Sequence, residues 1–180
     1  MTAKRDIKAR IAQLRTLGVS AADIFTELRG LAYSDRALAF LLTSRPETYR
    51  CAAHKGKVRF MTAVAIVQAM LGFFVGWQIA YAEHLPWPFA IASVTCALPT
   101  LTAIGFVRHH LQAYNLYILV SLVQYALQVR DIIDGYSAAW VGVLLSSLML
   151  TFVIHLRMRL FPGVGVFLPR KDSSGNYVFA

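Results

Sequence analysis

Acidic residues and cysteines are scarce in this sequence. Only nine of the 180 residues are Asp or Glu, and the only cysteines are Cys51 and Cys96. Two cysteines so placed do not suggest a disulfide scaffold or a metal site. The sequence also has no zinc-ligand spacing, no glycine-rich phosphate loop and no nucleophile elbow. We therefore expect no metal and no cofactor.

Apolar residues are abundant instead. Hydrophobic residues make up 57% of the chain and charged residues 15%, which is outside the range of soluble domains. Each of four apolar runs is long enough, as a helix, to cross the roughly 30 Å hydrocarbon core of a bilayer. Apart from Arg59 at one edge, the runs contain no charged residue. These runs are residues 58–80, 89–107, 111–129 and 137–156. The predicted fold is all-α, a polytopic membrane protein with four transmembrane helices.

The distribution of positive charge predicts the orientation of the chain. Twelve of its eighteen Lys and Arg residues precede residue 60, and only Arg130 falls in a loop on the opposite side. The formal charge of +9 therefore follows the positive-inside rule rather than marking a nucleic-acid surface. We expect a bacterial inner-membrane protein with both termini in the cytoplasm and no nucleic-acid partner.

Two polar segments flank the predicted bundle of residues 58–159. Residues 1–57 read as basic amphipathic cytoplasmic helices, whose apolar stripes either pack together, lie among lipid headgroups or meet a partner. A capping box from Ser44 to Glu47 predicts that the last of these helices starts there, runs into the first span and bends at Gly56. The cytoplasmic tail, residues 160–180, has a weak hairpin signal that would pair residues 164–168 with 176–179.

Small residues recur every four positions in the first span. Gln68, Gly72, Gly76 and Ala80 share one helical face, called the glycine face below. Small side chains allow helix backbones to approach closely in membranes. We interpret the glycine face as a helix-packing or interaction surface, and the sequence leaves open whether the helix it contacts belongs to the same chain.

A second face, in the third span, is polar. Tyr117, Ser121, Gln124 and Gln128 fall at helical spacing and form the polar stripe. A glutamine facing lipid would leave its amide donors unsatisfied, so the stripe should face another helix or water. It could supply hydrogen bonds within one chain, an interface with another subunit or partner, or the wall of a water-filled path.

Charged residues at the edges of the spans suggest contacts with lipid. Arg50, Lys55, Lys57 and Arg59, the basic cluster, precede the first span and are predicted to contact anionic headgroups. Acidic and histidine residues on the opposite side are predicted to be hydrated side chains at the edge of the bundle. They are not expected to form an acid/base or cation site. They are Glu83, His84, Asp131 and Asp134.

The spans contain no acidic residue, which argues against a proton pump or a proton-coupled carrier. The favoured function is a non-enzymatic protein that acts through helix–helix interaction with a membrane partner, of the immunity or accessory type. The alternative is a homo-oligomeric pore lined by Ser121, Gln124 and Gln128. A more remote alternative is a lipid-modifying enzyme that uses the far-side carboxylates or the adjacent His109 and His110.

Overall fold

The computed structural model describes residues 2–31, 33–136, 139–165 and 168–179. In these residues the chain is mostly helical, with two isolated β-bridges and no β-strand. The predicted all-α fold is confirmed. The helices are α1 (Thr2–Thr16), α2 (Ala21–Leu28), α3 (Asp35–Thr43), α4 (Thr48–Ala53), α5 (Lys55–Ala82), α6 (Pro88–Val107), α7 (Leu111–Ile133) and α8 (Ala139–Leu160).

The four longest helices, α5 to α8, are long and apolar enough to cross a membrane, which confirms the polytopic fold. The predicted end of the third span at residue 129 is too early. α7 continues for another turn, where Arg130 and Asp134 form an exposed ion pair of 3.6 Å, and it ends before Gly135 at a left-handed φ of +92°. The predicted start of the fourth span, residue 137, lies outside the described residues.

The first of two compact units comprises Met1–Glu47 and Met158–Ala180. In this unit the apolar stripes of α1, α2 and α3 pack against one another, which is one of the three arrangements that the sequence left open. The N-cap serines Ser20 and Ser34 accept hydrogen bonds from the first turns of α2 and α3 and fix where these helices begin. The buried core residues are Ile7, Ile11, Leu14, Ile24, Leu28, Leu38 and Leu42.

The tail belongs to this first unit. The ring of Phe25 in α2 contacts the ring of Phe179, with 5.0 Å between centroids. The predicted pairing of residues 164–168 with 176–179 is wrong. The Val178 N–H instead donates to the Arg170 carbonyl at 2.9 Å, and Val164 pairs with Pro169. Residues 166 and 167 of the predicted pairing lie outside the described residues.

The boundaries near α4 differ from the prediction. Ser44 ends α3 rather than starting a helix, since its N–H donates to the Phe40 carbonyl at 2.9 Å, and α4 begins only at Thr48. The chain departs from helical geometry at His54, where φ is −110°, and not at Gly56. Backbone hydrogen bonds continue on both sides of His54, because its N–H donates to the Arg50 carbonyl and its carbonyl accepts from the Val58 N–H. The chain therefore passes from α4 to α5 without losing backbone pairing.

The second unit, Thr48–Arg157, holds the spans. α5 and α6 form a closely packed hairpin, and α7 packs against α6 through the Phe106 ring, which contacts Tyr114 and Tyr117. α6 continues through Pro99 as one helix. α8 contacts α5 where the rings of Phe60 and Phe152 meet edge to face.

Two histidines occupy helix-end positions that glycine usually fills. His84 after α5 and His109 after α6 have left-handed φ values of +52° and +51°. At each position the N–H of the histidine and the N–H of the residue after it donate to carbonyls of the last helical turn, in the same pattern as Gly135 and Tyr136 after α7. A side chain with a Cβ is strained in this conformation, whereas glycine is not.

Replacing His84 with glycine is therefore expected to raise the free energy of unfolding by about 1 kcal/mol. His110 provides a matched control, because its backbone is extended at φ −80° and a glycine there relieves no strain. Thermal unfolding of the two purified variants in detergent measures the difference. A midpoint for H84G at or below the wild-type midpoint would contradict the expectation.

Candidate intramembrane interaction site

The glycine face of α5 is covered by α6. A Cβ added to Gly72 would lie 3.2 Å from the Thr95 carbonyl oxygen, and one added to Gly76 would collide with the Thr95 hydroxyl. Ala80 in the next turn is fully buried. The helix that this face contacts is therefore α6 of the same chain. Gly76 is buried, whereas Gly72 is half-buried and lines the cavity described below.

Thr95 of α6 is the main contact of the glycine face, and the sequence analysis did not single it out. Its hydroxyl oxygen lies 2.8 Å from the carbonyl oxygens of both Gly72 and Ala92. Pro99 has no N–H to offer the Thr95 carbonyl, and that oxygen points at Gly72 instead. A hydroxyl residue four positions before a proline inside a span is the signal that could have found it.

Gln68 connects the glycine face to the polar stripe. Its amide Nε2 donates to the Tyr117 hydroxyl of α7 at 3.2 Å, and Tyr117 is buried. This bond joins the first span to the third. It satisfies one amide donor in a region where lipid offers no hydrogen-bond partner.

The polar stripe is only partly covered by protein. Tyr117 and Ser121 are buried, whereas the Gln124 side chain is exposed and makes no hydrogen bond with any described residue. Gln128 is half-buried beside Gly142 of α8. The polar stripe thus faces the interior of the helix bundle at Tyr117 and Ser121. At Gln124 it faces the outer surface of the bundle.

A cavity of about 280 Å³ opens beside Gln124, between α5, α6 and α7. Its volume exceeds that of a few water molecules at roughly 30 Å³ each, so a side chain of a neighbouring helix can enter it. Hydroxyl and amide groups line part of its wall, which makes it a site for a hydrogen-bonding group within the span. The polar lining residues are Gln68, Thr95, Thr102, Tyr117, Ser121 and Gln124.

An arginine in α8 forms a second polar contact that the sequence analysis missed. Arg157 is 7% exposed, and its Nε donates to the Asn115 Oδ1 of α7 at 2.6 Å. The predicted fourth span ended one residue earlier, so Arg157 was counted with the tail. The signal was available in the sequence, since Asn115 is an amide near the start of the third apolar run.

The basic cluster is mostly accessible. Lys55, Lys57 and Arg59 are exposed in the first two turns of α5. Arg50 is half-buried, and its guanidinium lies over the Tyr49 ring at 5.2 Å from the centroid. Three of the four side chains can reach headgroups, and their predicted lipid contact stays a prediction.

The remaining candidate residues are the acidic and histidine side chains at the ends of the spans. Among the described residues, no three His, Cys, Asp or Glu side chains are placed to hold a metal ion. Asp134 pairs with Arg130, and Glu83 and Asp131 are exposed. Burial lowers the pKa of the His109 imidazole and raises the pKa of the Cys51 thiol, so both groups stay neutral near pH 7.

Comparisons with known protein families, curated proteins and solved structures found no match to this chain. The functional assignment therefore depends on the geometry of the residues themselves.

Proposed function

We propose that this chain is a non-enzymatic bacterial inner-membrane protein, with both termini in the cytoplasm, that binds a transmembrane helix of a partner protein. The contact surface is the exposed amide of Gln124 together with the cavity beside it. One observation carries the proposal: Gln124 is an exposed, unbonded amide halfway along α7, a helix that can cross a membrane.

An amide in this position is unfavourable in lipid. Hydrocarbon offers its donors and acceptor no partner, and burying such a group unpaired costs several kcal/mol. Gln68 and Thr95 in the same region avoid this cost through bonds within the chain. A polar side chain from a partner helix would satisfy the Gln124 amide with a hydrogen bond in the same way, and it would fill the cavity.

The cavity favours a different protein over a second copy of this chain. In a two-fold dimer whose axis passes at Gln124, this side chain would face its own copy. The hydroxyl-lined cavity at its side would then stay unfilled. A partner helix that carries a Ser, Thr, Asn or Gln side chain satisfies both features at once.

Site-specific photo-crosslinking in the native membrane tests this proposal. A photo-reactive residue at position 124 is expected to trap a second polypeptide, whereas one at Leu122, which is exposed on the opposite face of α7, is not. The trapped protein is then identified, purified and rebound in vesicles. There Q124L should weaken binding about three- to thirtyfold, since interhelical hydrogen bonds in membranes contribute roughly 0.6–2 kcal/mol.

Other outcomes overturn the proposal. An adduct of twice the 20.0 kDa chain mass, with conductance in vesicles that Q124L changes, would indicate the homo-oligomeric pore instead. Equal trapping at positions 124 and 122 would show that the stripe recognises nothing. A partner that binds Q124L as tightly as the wild type would place the interface elsewhere.

A further inference from the structure

We propose that the groove between α5 and α6 binds one anionic phospholipid, with its acyl chain along the groove and its phosphate on Arg108. This site lies on a different surface from Gln124 and does not depend on the proposed partner. The bound lipid belongs to the leaflet that surrounds the first turns of α5 and the last turns of α6.

The groove has the shape of a slot for an acyl chain. Its first part, about 390 Å³, starts at Arg108 and Thr62 and continues to Met70. A second part, about 500 Å³, shares Ala69 and Met70 with the first and reaches Phe74. At 1.5 Å per residue the α5 side of the groove is about 18 Å long. One leaflet contributes about 15 Å of hydrocarbon, so the groove matches the depth of a single lipid tail.

The walls of the groove are apolar along its length. The Thr62 hydroxyl donates to the Val58 carbonyl at 2.9 Å, and the Thr100 hydroxyl donates to the Cys96 carbonyl at 2.8 Å. Both hydroxyls are thus bonded within their own helices. Apart from Arg108 at its end, the described side chains of the groove offer no free hydrogen-bonding group to a partner helix. The groove therefore fits a molecule with a long apolar part and one polar end.

The polar end of the groove is positive and has no counter-charge in its own unit. The Arg108 side chain is exposed and makes no ion pair or hydrogen bond with any described residue. The only carboxylates in residues 48–157 are those of Glu83, Asp131 and Asp134, which lie at the opposite ends of the spans. A guanidinium binds phosphate well because its planar donors match two phosphate oxygens. Basic pockets between transmembrane helices bind anionic headgroups in this way.

Native mass spectrometry of the full chain tests the site. The protein, purified in detergent, is given equal amounts of dioleoylphosphatidylglycerol and dioleoylphosphatidylcholine, and the retained lipids are counted. The wild type should retain phosphatidylglycerol preferentially, and R108Q should lower that preference about fivefold, the effect expected for one basic residue near a headgroup. Lys57 is the matched control. It is exposed at the same end of α5 but on another helical face, so K57Q should leave the preference unchanged.

A second pair of variants tests the groove itself. Ala69 lines both parts of the groove, so A69L should reduce retention of both lipids by filling the slot. Ala82 is exposed on another face of α5, and A82L should have no effect. Each variant must keep the wild-type circular dichroism spectrum.

Three results would overturn the proposal. If R108Q and K57Q lower the preference equally, the attraction is a general surface effect and not a site. If A69L and A82L retain the same number of lipids, the groove is empty. If A69L releases a co-purified polypeptide and keeps its lipids, a helix occupies the groove.

Discussion

A leucine in place of Gly76 is expected to prevent the α5–α6 hairpin from packing. Even a Cβ there would collide with the Thr95 hydroxyl and would lie 3.1 Å from the Ala92 Cα, a backbone atom that cannot move aside alone. The remaining leucine atoms must force the helices apart, which also breaks the bond between Thr95 and the Gly72 carbonyl. We expect a loss of at least about 3 kcal/mol in unfolding free energy, measured by thermal unfolding in detergent.

Gly56 is the control in the same helix. No atom lies within 4 Å of a Cβ built there, so G56A should be neutral or stabilising by up to about 1 kcal/mol through helix propensity. A Cβ at Gly72 would lie 3.2 Å from the Thr95 carbonyl oxygen. G72A should therefore be more destabilising than G56A but less destabilising than G76L. A wild-type unfolding midpoint for G76L would show that α5 and α6 do not pack at this face.

Replacing Asn115 with leucine should destabilise the contact between α7 and α8. The change removes an oxygen that accepts a hydrogen bond from buried Arg157 at 2.6 Å and puts hydrocarbon against the guanidinium. Hydrogen bonds to charged groups contribute about 1.5–3 kcal/mol, so we expect a loss of that size in unfolding free energy. Chemical denaturation in detergent measures it.

A double variant and a control sharpen this expectation. In N115L/R157M both partners are apolar, and most of the loss should be recovered because no charge is left facing hydrocarbon. R159M removes an exposed charge from the same turn of α8 and should change the stability by less than about 0.5 kcal/mol. If N115L is as mild as R159M, the contact between Asn115 and Arg157 is not structural.

The sequence predicted the helices of the bundle well because the thickness of a bilayer fixes their length. The four apolar runs correspond to α5 to α8, with errors of a few residues where charged groups such as Arg130 and Arg157 extend a helix past its apolar part. Period-four spacing also identified Gly72 and Gly76 as a packing surface in α5, since only small residues permit the approach that the structure shows.

The partner of that surface could not be read from the sequence. α6 is apolar around its whole circumference, so no periodic pattern marks the side that faces α5, and Thr95 could equally have faced lipid with its hydroxyl bonded to its own helix. Ser44 shows a similar ambiguity, because a serine between two helices can end one or begin the next. Tertiary packing decides both cases.

The double contact of the Thr95 hydroxyl also limits how the bundle can move. Sliding α5 along α6 by one helical turn, about 5.4 Å, would bring either Gln68 or Gly76 opposite Thr95 in place of Gly72. Gln68 is too large for that position, and the short turn at residues 83–87 ties the other ends of the two helices together. Shear between α5 and α6 is therefore opposed in both directions, by the size of Gln68 in one and by the short turn in the other.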